Sequence, residues 1–374
     1  MKDNHYSDLD VSSRILLGPG PSMVAPRVLQ AMATPLVGHL DPQFLQVMDD
    51  EQRLLRYVFQ TENELTLAVP GTGSAGMEAA LCNFIETGDR VLVGVIGFFG
   101  ERLCEIASRY GAQVDRLDRP WGQVLDPEEV TAALRKKQYK LVALVHAETS
   151  TGALQPGIAE IAAAAHQQGA LLVLDTVTSL GGLPVQIDAW EVDVAYSGTQ
   201  KSISSPPGLA PLTVSPRARQ ALGNRRTPVA NWYLDLTGLE KYWHAPHAYH
   251  HTAPISLHYA LREALRLVLE EGLETRFARH QVNAELLWEG LDALDLPPLV
   301  QHNFRLPTLT TPQLPPSVDD MGLRRRLLDE FNIEIAGGFG PLKGKVWRIG
   351  LMGFSSRREN IVLLLAALRQ ILGA

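Results

Sequence analysis

The sequence predicts an α/β protein: a large domain with a mostly parallel sheet covered by helices, then a smaller α+β domain. Three observations carry this expectation. Between Leu65 and Tyr196, short runs rich in Val, Leu and Ile alternate with amphipathic stretches, the order that puts crossover helices between parallel strands. Some of these runs, such as Leu171-Leu172-Val173-Leu174, are apolar without alternation, as strands buried on both faces are. And 374 residues exceed what one core usually spans, so a second domain is expected.

Taken in order, residues 1–21 show neither helical nor strand period and read as an N-terminal arm. Helices are expected over 26–32 and 44–59, with a loop at 37–42 whose His39 reads as structural or peripheral. Strands follow at 65–69, 91–96, 113–117, 141–146, 171–175 and 192–196, with helices at 101–110, 127–136 and 158–168 between them. A further strand at 211–215 would complete a seven-stranded sheet. Residues 224–254 are aromatic and His-rich without period, which reads as a long ordered loop region. His244, His247, His250 and His251 lie there, but no helical spacing or cysteine accompanies them as a metal site would require. Helical pattern returns over 257–271 and 273–294, followed by short strands at 306–311, 333–336 and 346–351 and helices at 321–331 and 359–372. The expected division is an arm over 1–21, a large domain over 22–255 and a small domain over 256–374.

Composition bounds the function. Apolar residues at 45% and charged residues at 20% describe an ordinary globular chain. A net charge of −7 argues against generic nucleic-acid binding. No apolar run is long enough to span a bilayer. Cys82 and Cys104 alone do not make a disulfide framework, and neither terminus reads as a signal core or a peroxisomal address. A cytoplasmic location without membrane or nucleic-acid partners is therefore expected.

The chemistry gathers at strand ends. Lys201 follows the strand ending at Tyr196 through Ser197-Gly198-Thr199-Gln200, and the carboxyl ends of parallel strands are where such sheets bind ligands. A desolvated lysine there can attack a carbonyl and form a Schiff base; a solvated loop lysine is the competing reading. Asp175 ends the apolar run at 171–175 on the same sheet edge. An acid for a pyridinium nitrogen and a Schiff-base lysine are the pair that pyridoxal phosphate needs. The turn Gly71-Thr72-Gly73-Ser74-Ala75-Gly76 links a strand to a helix and offers free N–H groups to a phosphate. The same letters fit a dinucleotide turn, the pattern of a nicotinamide-dependent reductase. The next strand ends in Gly97-Phe98-Phe99 without the acid that such a site requires.

Asp175 to Gly182 together with Tyr196 to Lys201 resemble the class V aminotransferases of the fold-type I pyridoxal-phosphate enzymes, nearest to the alanine–glyoxylate and serine–pyruvate group. Leu16 to Ser22, Glu148 to Gly152, Tyr249 to Thr252 and Arg348 to Leu351 extend the match along nearly the whole chain. The resemblance implies bound pyridoxal 5'-phosphate and a ping-pong transfer from alanine or serine to glyoxylate or a similar 2-oxo acid. It implies phosphate contacts from Thr72, Gly73, Ser74 and Gln200, and a ring stacked on Phe99, where relatives often carry tryptophan. Val177 and Ser150 would touch the cofactor, with Gly20, Ser150 and Arg348 near substrate. Arg348 lies in an apolar strand, and its fork fits a carboxylate bidentately; an internal salt bridge is the competing reading. Tyr249 and Thr252 would reach the phosphate of a neighbouring subunit, making the site a property of a homodimer. Ureidoglycine–glyoxylate and aminoethylphosphonate–pyruvate aminotransferases remain as alternatives. A cysteine desulfurase does not, because the loop 336–341 carries no cysteine.

Overall fold

A computed structural model describes residues 8–373. The central sheet has seven strands: β1 (Leu65–Pro70), β2 (Arg90–Val95), β3 (Gln113–Asp118), β4 (Leu141–Val145), β5 (Leu171–Asp175), β6 (Val194–Tyr196) and β7 (Leu209–Val214). They lie side by side in the order β1-β7-β6-β5-β4-β2-β3. Only β7 is reversed, antiparallel to both β1 and β6. The remaining pairs are parallel. The carboxyl ends of β1, β2, β4, β5 and β6 consequently open on one edge.

Burial follows sequence. Every residue of β1, β4, β5 and β7 is buried, which explains why these runs are apolar without alternation. β3 is the outer strand and carries Asp115, Arg116 and Asp118 on partly exposed positions, charges that discourage pairing with another chain. Helices Gly73–Cys82, Phe98–Arg109, Pro127–Leu134 and Ile158–Gln167 form the crossovers. The third starts from a capping box between Asp126 and Glu129. Among the described residues, no helix is long and apolar enough to cross a membrane.

A second, smaller core is built around a three-stranded antiparallel sheet, Leu309–Thr310, Trp347–Gly350 and Ala336–Gly337. Leu287, Leu291, Leu327, Trp347, Ile349, Leu364 and Leu368 fill it. The arm joins this core: Leu17 is buried in it, and Ile15–Leu16 pairs in parallel with Ile333–Glu334. Residues 1–7 of the expected arm lie outside the described residues.

Two features depart from the sequence pattern. Helix Ile255–Glu271 buries Ala260, Leu261, Ala264, Leu265 and Val268 in the large core, and helix Leu273–Asp292 contributes Phe277 to that core but Leu287 to the small one. The change from loop to helical period near Ser256 marks the start of an element; the two cores part company inside the next helix. Within the expected loop region, Leu236–Trp243 is a helix, capped by Asp235 accepting from the Thr237 amide and burying Leu239, Tyr242 and Trp243. Its two turns are too short to impose a visible period on an aromatic segment.

Candidate active site

Lys201 is placed by the turn that leaves β6. The Ser197 amide donates to the Pro211 carbonyl at 2.8 Å and the Thr199 amide to that of Leu209 at 3.2 Å, so β7 fixes the turn. The arm crosses here from the small core: Ser22 donates through its amide to Gln200 and through its hydroxyl to the Lys201 carbonyl, both at 2.8 Å. Lys201 Nζ donates to the Pro19 carbonyl. Gly20 lies against this side chain with φ of +110°, and a Cβ there would stand 2.9 Å from Nζ. Only glycine meets both demands. Lys201 is 9% exposed. Burial, helped by the positive charge of Arg348, draws its amine down to about 8. An amine drawn down this far can act as a nucleophile, and its burial excludes the reading of a solvated loop lysine.

Asp175 ends β5 directly opposite Tyr196 in the parallel register. Its Oδ2 accepts from the Tyr196 hydroxyl and its Oδ1 from the Val177 amide, each at 2.8 Å. Burial is the larger effect and pushes the carboxyl up to about 6 against those two bonds. A cation beside it would restore the ionised form.

The turn after β1 opens helix Gly73–Cys82. Gly71 takes φ of +125°. Thr72 is the N-cap, yet its hydroxyl caps nothing, and among the described residues the Gly73 and Ser74 amides find no acceptor. Beside them the buried Gln200 Oε1 also lacks a partner. Arg102 reaches this rim, its Nη1 donating to Ser74 Oγ at 3.1 Å. Unused amides at a helix N-terminus, a free hydroxyl, a side-chain amide and a guanidinium suit a phosphate.

Between these groups sits a buried carboxylate. Glu148 Oε1 accepts from the Ser150 hydroxyl at 2.6 Å and from its amide at 3.0 Å, and Oε2 accepts from the Phe99 amide at 3.2 Å. Ser150 Oγ in turn accepts from the Phe98 amide at 2.9 Å. At Gly97, a Cβ would fall 2.4 Å from Glu148 Cγ, so a side chain there is excluded. Burial pushes the Glu148 carboxyl up to about 7. Phe99 is half-buried at the start of its helix, and Val177 packs against Gly73.

Arg348 projects from the small domain. It is 5% exposed. Its Nε donates to the Gly337 carbonyl at 2.8 Å, while its two terminal nitrogens have no hydrogen-bond or ion-pair partner among the described residues. The internal salt bridge is therefore not formed, and the fork is free for a carboxylate. Burial draws the guanidinium down to about 10, still cationic at neutral pH.

Tyr249 and Thr252 are not brought to this edge. Both are exposed, and Tyr249 packs on His39 with ring centroids 5.3 Å apart. A cleft of about 1050 Å³ beside Ile203 and Ser204 holds neither Lys201 nor Asp175. Arg276 and Arg279 line it, each already bound to Glu271 and to backbone carbonyls, so chemistry rather than volume identifies the site.

Sequence reasoning missed Glu148 and Tyr196 as working groups. Both stand at strand ends within quoted motifs, and a lone carboxylate closing an apolar strand, which singled out Asp175, also singles out Glu148. Arg102 gave no signal, because on an amphipathic helix it reads as a solvated charge.

The donor set fits pyridoxal phosphate: a depressed lysine, an acid with bonded oxygens, and an anion cradle at one edge. Comparison with known proteins agrees. The class-V aminotransferase family model matches residues 15–339. The chain is 42% identical to the (S)-ureidoglycine–glyoxylate transaminase of Bacillus subtilis, over 96% of this chain and 90% of that one. It is 40% identical to the alanine–glyoxylate aminotransferase of Drosophila melanogaster, over 97% and 93%. It superposes on the crystal structure of an alanine–glyoxylate aminotransferase from Nostoc sp. with a TM-score of 0.96 and 55% identity, covering 100% of this chain and 99% of that one.

Proposed function

The chain belongs to the class V aminotransferases, which depend on pyridoxal phosphate, and from that premise we propose that it transfers the amino group of alanine or serine to glyoxylate. The observation that carries this is the pairing of Lys201 with Arg348: a buried amine drawn toward neutrality and, near enough to draw it down, a guanidinium with a free fork. Amino transfer needs the first, and a substrate that is an α-amino or α-oxo acid needs the second.

Bound pyridoxal phosphate supplies an aldehyde carbon that carries the amino group and a protonated ring that draws electrons from the substrate's α-carbon. Lys201 Nζ is the amine that would hold that aldehyde between turnovers and would be freed by the donor's amino group. The freed Nζ takes the donor's α-proton and, in the second half-reaction, delivers one to the α-carbon of the acceptor; an amine titrating near 8 suits both directions. Asp175, its oxygens fixed by Tyr196 and Val177, would keep the ring nitrogen protonated. Phe99 and Val177 would hold the ring, Ser150 would serve its hydroxyl side by turning its O–H away from Glu148, and Thr72, Gly73, Ser74 and Gln200 would take the phosphate. Arg348 binds the carboxylate that donor and acceptor share, and Gly20 leaves room beside Nζ for them.

A homodimer belongs to the same reading. Tyr249 and Thr252 cross to the phosphate site of a second copy, supported by their exposure and by the exposed Leu36, Leu40, Trp232 and Tyr233. A cytoplasmic location is supported by Cys82 and Cys104, both buried free thiols. A second reading keeps glyoxylate and makes (S)-ureidoglycine the donor, favoured by the Bacillus relative. Glycine formation from glyoxylate with each of the three donors separately decides. Turnover with alanine or serine but not ureidoglycine supports the first reading, the reverse selects the second, and no glycine with any donor refutes glyoxylate as acceptor.

A further inference from the structure

The glycine-rich loop that follows Ala336–Gly337 has no part in the chemistry above, yet its aromatic residue touches both halves of the site. The ring of Phe339 lies over the guanidinium of Arg348, 3.8 Å from Cζ to the ring centroid, well inside the range of a cation–π contact. The same ring packs on Phe98 of the large domain, with centroids 5.1 Å apart at 45°. Phe98 meets Phe99 edge-on at 5.6 Å and 88°. Arg348, Phe339, Phe98 and Phe99 thus form a continuous row from the carboxylate ligand to the ring platform. Gly340 comes close to Trp121 of the large domain: a Cβ there would lie 3.1 Å from its Cη2.

The row constrains Arg348 on two sides. The Gly337 carbonyl holds the Nε edge, and Phe339 covers one face. What remains open is the edge with the two terminal nitrogens, the part that pairs with a carboxylate in two-point fashion. Phe339 is 37% exposed while Arg348 beneath it is 5% exposed. The ring is therefore the layer between the guanidinium and solvent, and excluding water strengthens the ion pair formed below it. Its contact with Phe98 also fills the gap between the small-domain loop and the start of helix Phe98–Arg109.

We propose that Phe339 is a specificity-determining residue: a roof over Arg348 that fixes the guanidinium plane for the substrate carboxylate and, against Phe98, restricts the donor to small side chains. The inference rests on Arg348 being that carboxylate's ligand. The test uses the holoenzyme and oxamate, a non-reacting carboxylate the size of a small oxo acid, titrated by calorimetry, together with kcat/KM for leucine and alanine against glyoxylate. Phe339→Ala should weaken oxamate binding, raise the Michaelis constants for alanine and glyoxylate about tenfold with kcat for that pair within about twofold, and, because leucine gains the vacated space, raise the leucine-to-alanine ratio of kcat/KM about tenfold. Phe339→Leu refills the roof without the cation–π contact, so it should recover the selectivity and not the oxamate affinity. Arg348→Lys should weaken oxamate whatever the roof does. If it does so while Phe339→Ala leaves oxamate binding and the leucine-to-alanine ratio unchanged, with or without a lower melting temperature, the roof is overturned alone. If Arg348→Lys leaves oxamate binding unchanged, the carboxylate assignment fails and the roof with it.

Discussion

Replacing Tyr196 with phenylalanine tests the electrostatics of the site with the removal of one oxygen. Tyr196 is fully buried in β6, and its hydroxyl donates to Asp175 Oδ2 at 2.8 Å. Asp175 sits near 6 because burial favours the neutral acid, while this bond and the Val177 amide favour the ionised one. Removing a donor to the ionised form must raise the value further. A hydrogen bond to a charged group contributes about 1.5–3 kcal/mol, and one pKa unit is about 1.4 kcal/mol, so Asp175 should move up by about one to two units. A protonated Asp175 cannot pair with a cationic ring nitrogen. Cofactor affinity of the wild-type apoprotein should therefore rise with pH through about 6, and that of Tyr196→Phe through a point one to two units higher, the two converging near pH 9. Fluorescence titration of pyridoxal phosphate from pH 5 to 9 measures this. Superimposable profiles would refute the argument, and so would an equal loss at every pH, which would mean that the hydroxyl supports packing alone.

Three further outcomes are expected. Borohydride should fix the cofactor to the peptide containing Lys201, and mass spectrometry that finds the label on another lysine rejects the assignment. Mixing Lys201→Ala chains with Tyr249→Ala/Thr252→Ala chains should restore some activity through one intact hybrid site; no recovery under verified subunit exchange counts against the crossing contacts. Glu148 has a folded value near 7 against 4.5 when exposed, so its contribution to stability is full below 4.5 and lost as pH rises through 7. By about 1.4 kcal/mol per unit this is roughly 3 kcal/mol. The melting temperature of the apoprotein should fall less between pH 4 and 8 in Glu148→Gln than in the wild type, and parallel curves would contradict the burial argument.

The sheet was legible because its strands obey a rule that needs no tertiary knowledge: buried on both faces, β1, β4 and β5 must be apolar throughout. Asp175 and Lys201 were legible for the opposite reason, as charges at the ends of such runs. The junction between the cores was not, because helix Leu273–Asp292 serves both with one continuous buried face, on which Arg276, His280 and Asn283 alternate with apolar residues and mark no boundary. Nor was the role of Tyr196. A tyrosine closing a strand satisfies local pattern equally well in a core, and only the register that sets it opposite Asp175 gives its hydroxyl a task. Phe339 lay in a loop noted only for lacking a cysteine, and its meaning depends on a contact made across the domains.

One physical cause runs through four ionisable groups of the site. Burial is the largest influence on Lys201, Asp175, Glu148 and Arg348, and it moves each toward its neutral form. The apoprotein thus keeps two cations and two acids in a poorly solvated edge where their mutual attraction only partly offsets lost hydration. Three of them would gain a partner from the ligands of the proposed reaction: a cationic ring nitrogen for Asp175, an aldehyde for the Lys201 amine, a carboxylate for Arg348. The phosphate cradle, with its unused amides and unbonded Gln200 oxygen, is incomplete in the same sense. An edge of this kind favours ligands that bring the complementary charges together, and it disfavours water, whose entry would relax every shift at once. Arg348 extends the logic to substrate. In the proposed mechanism a bound carboxylate would offset the positive charge that helps burial hold Lys201 down, so the amine would become a stronger base once the donor whose α-proton it takes is in place.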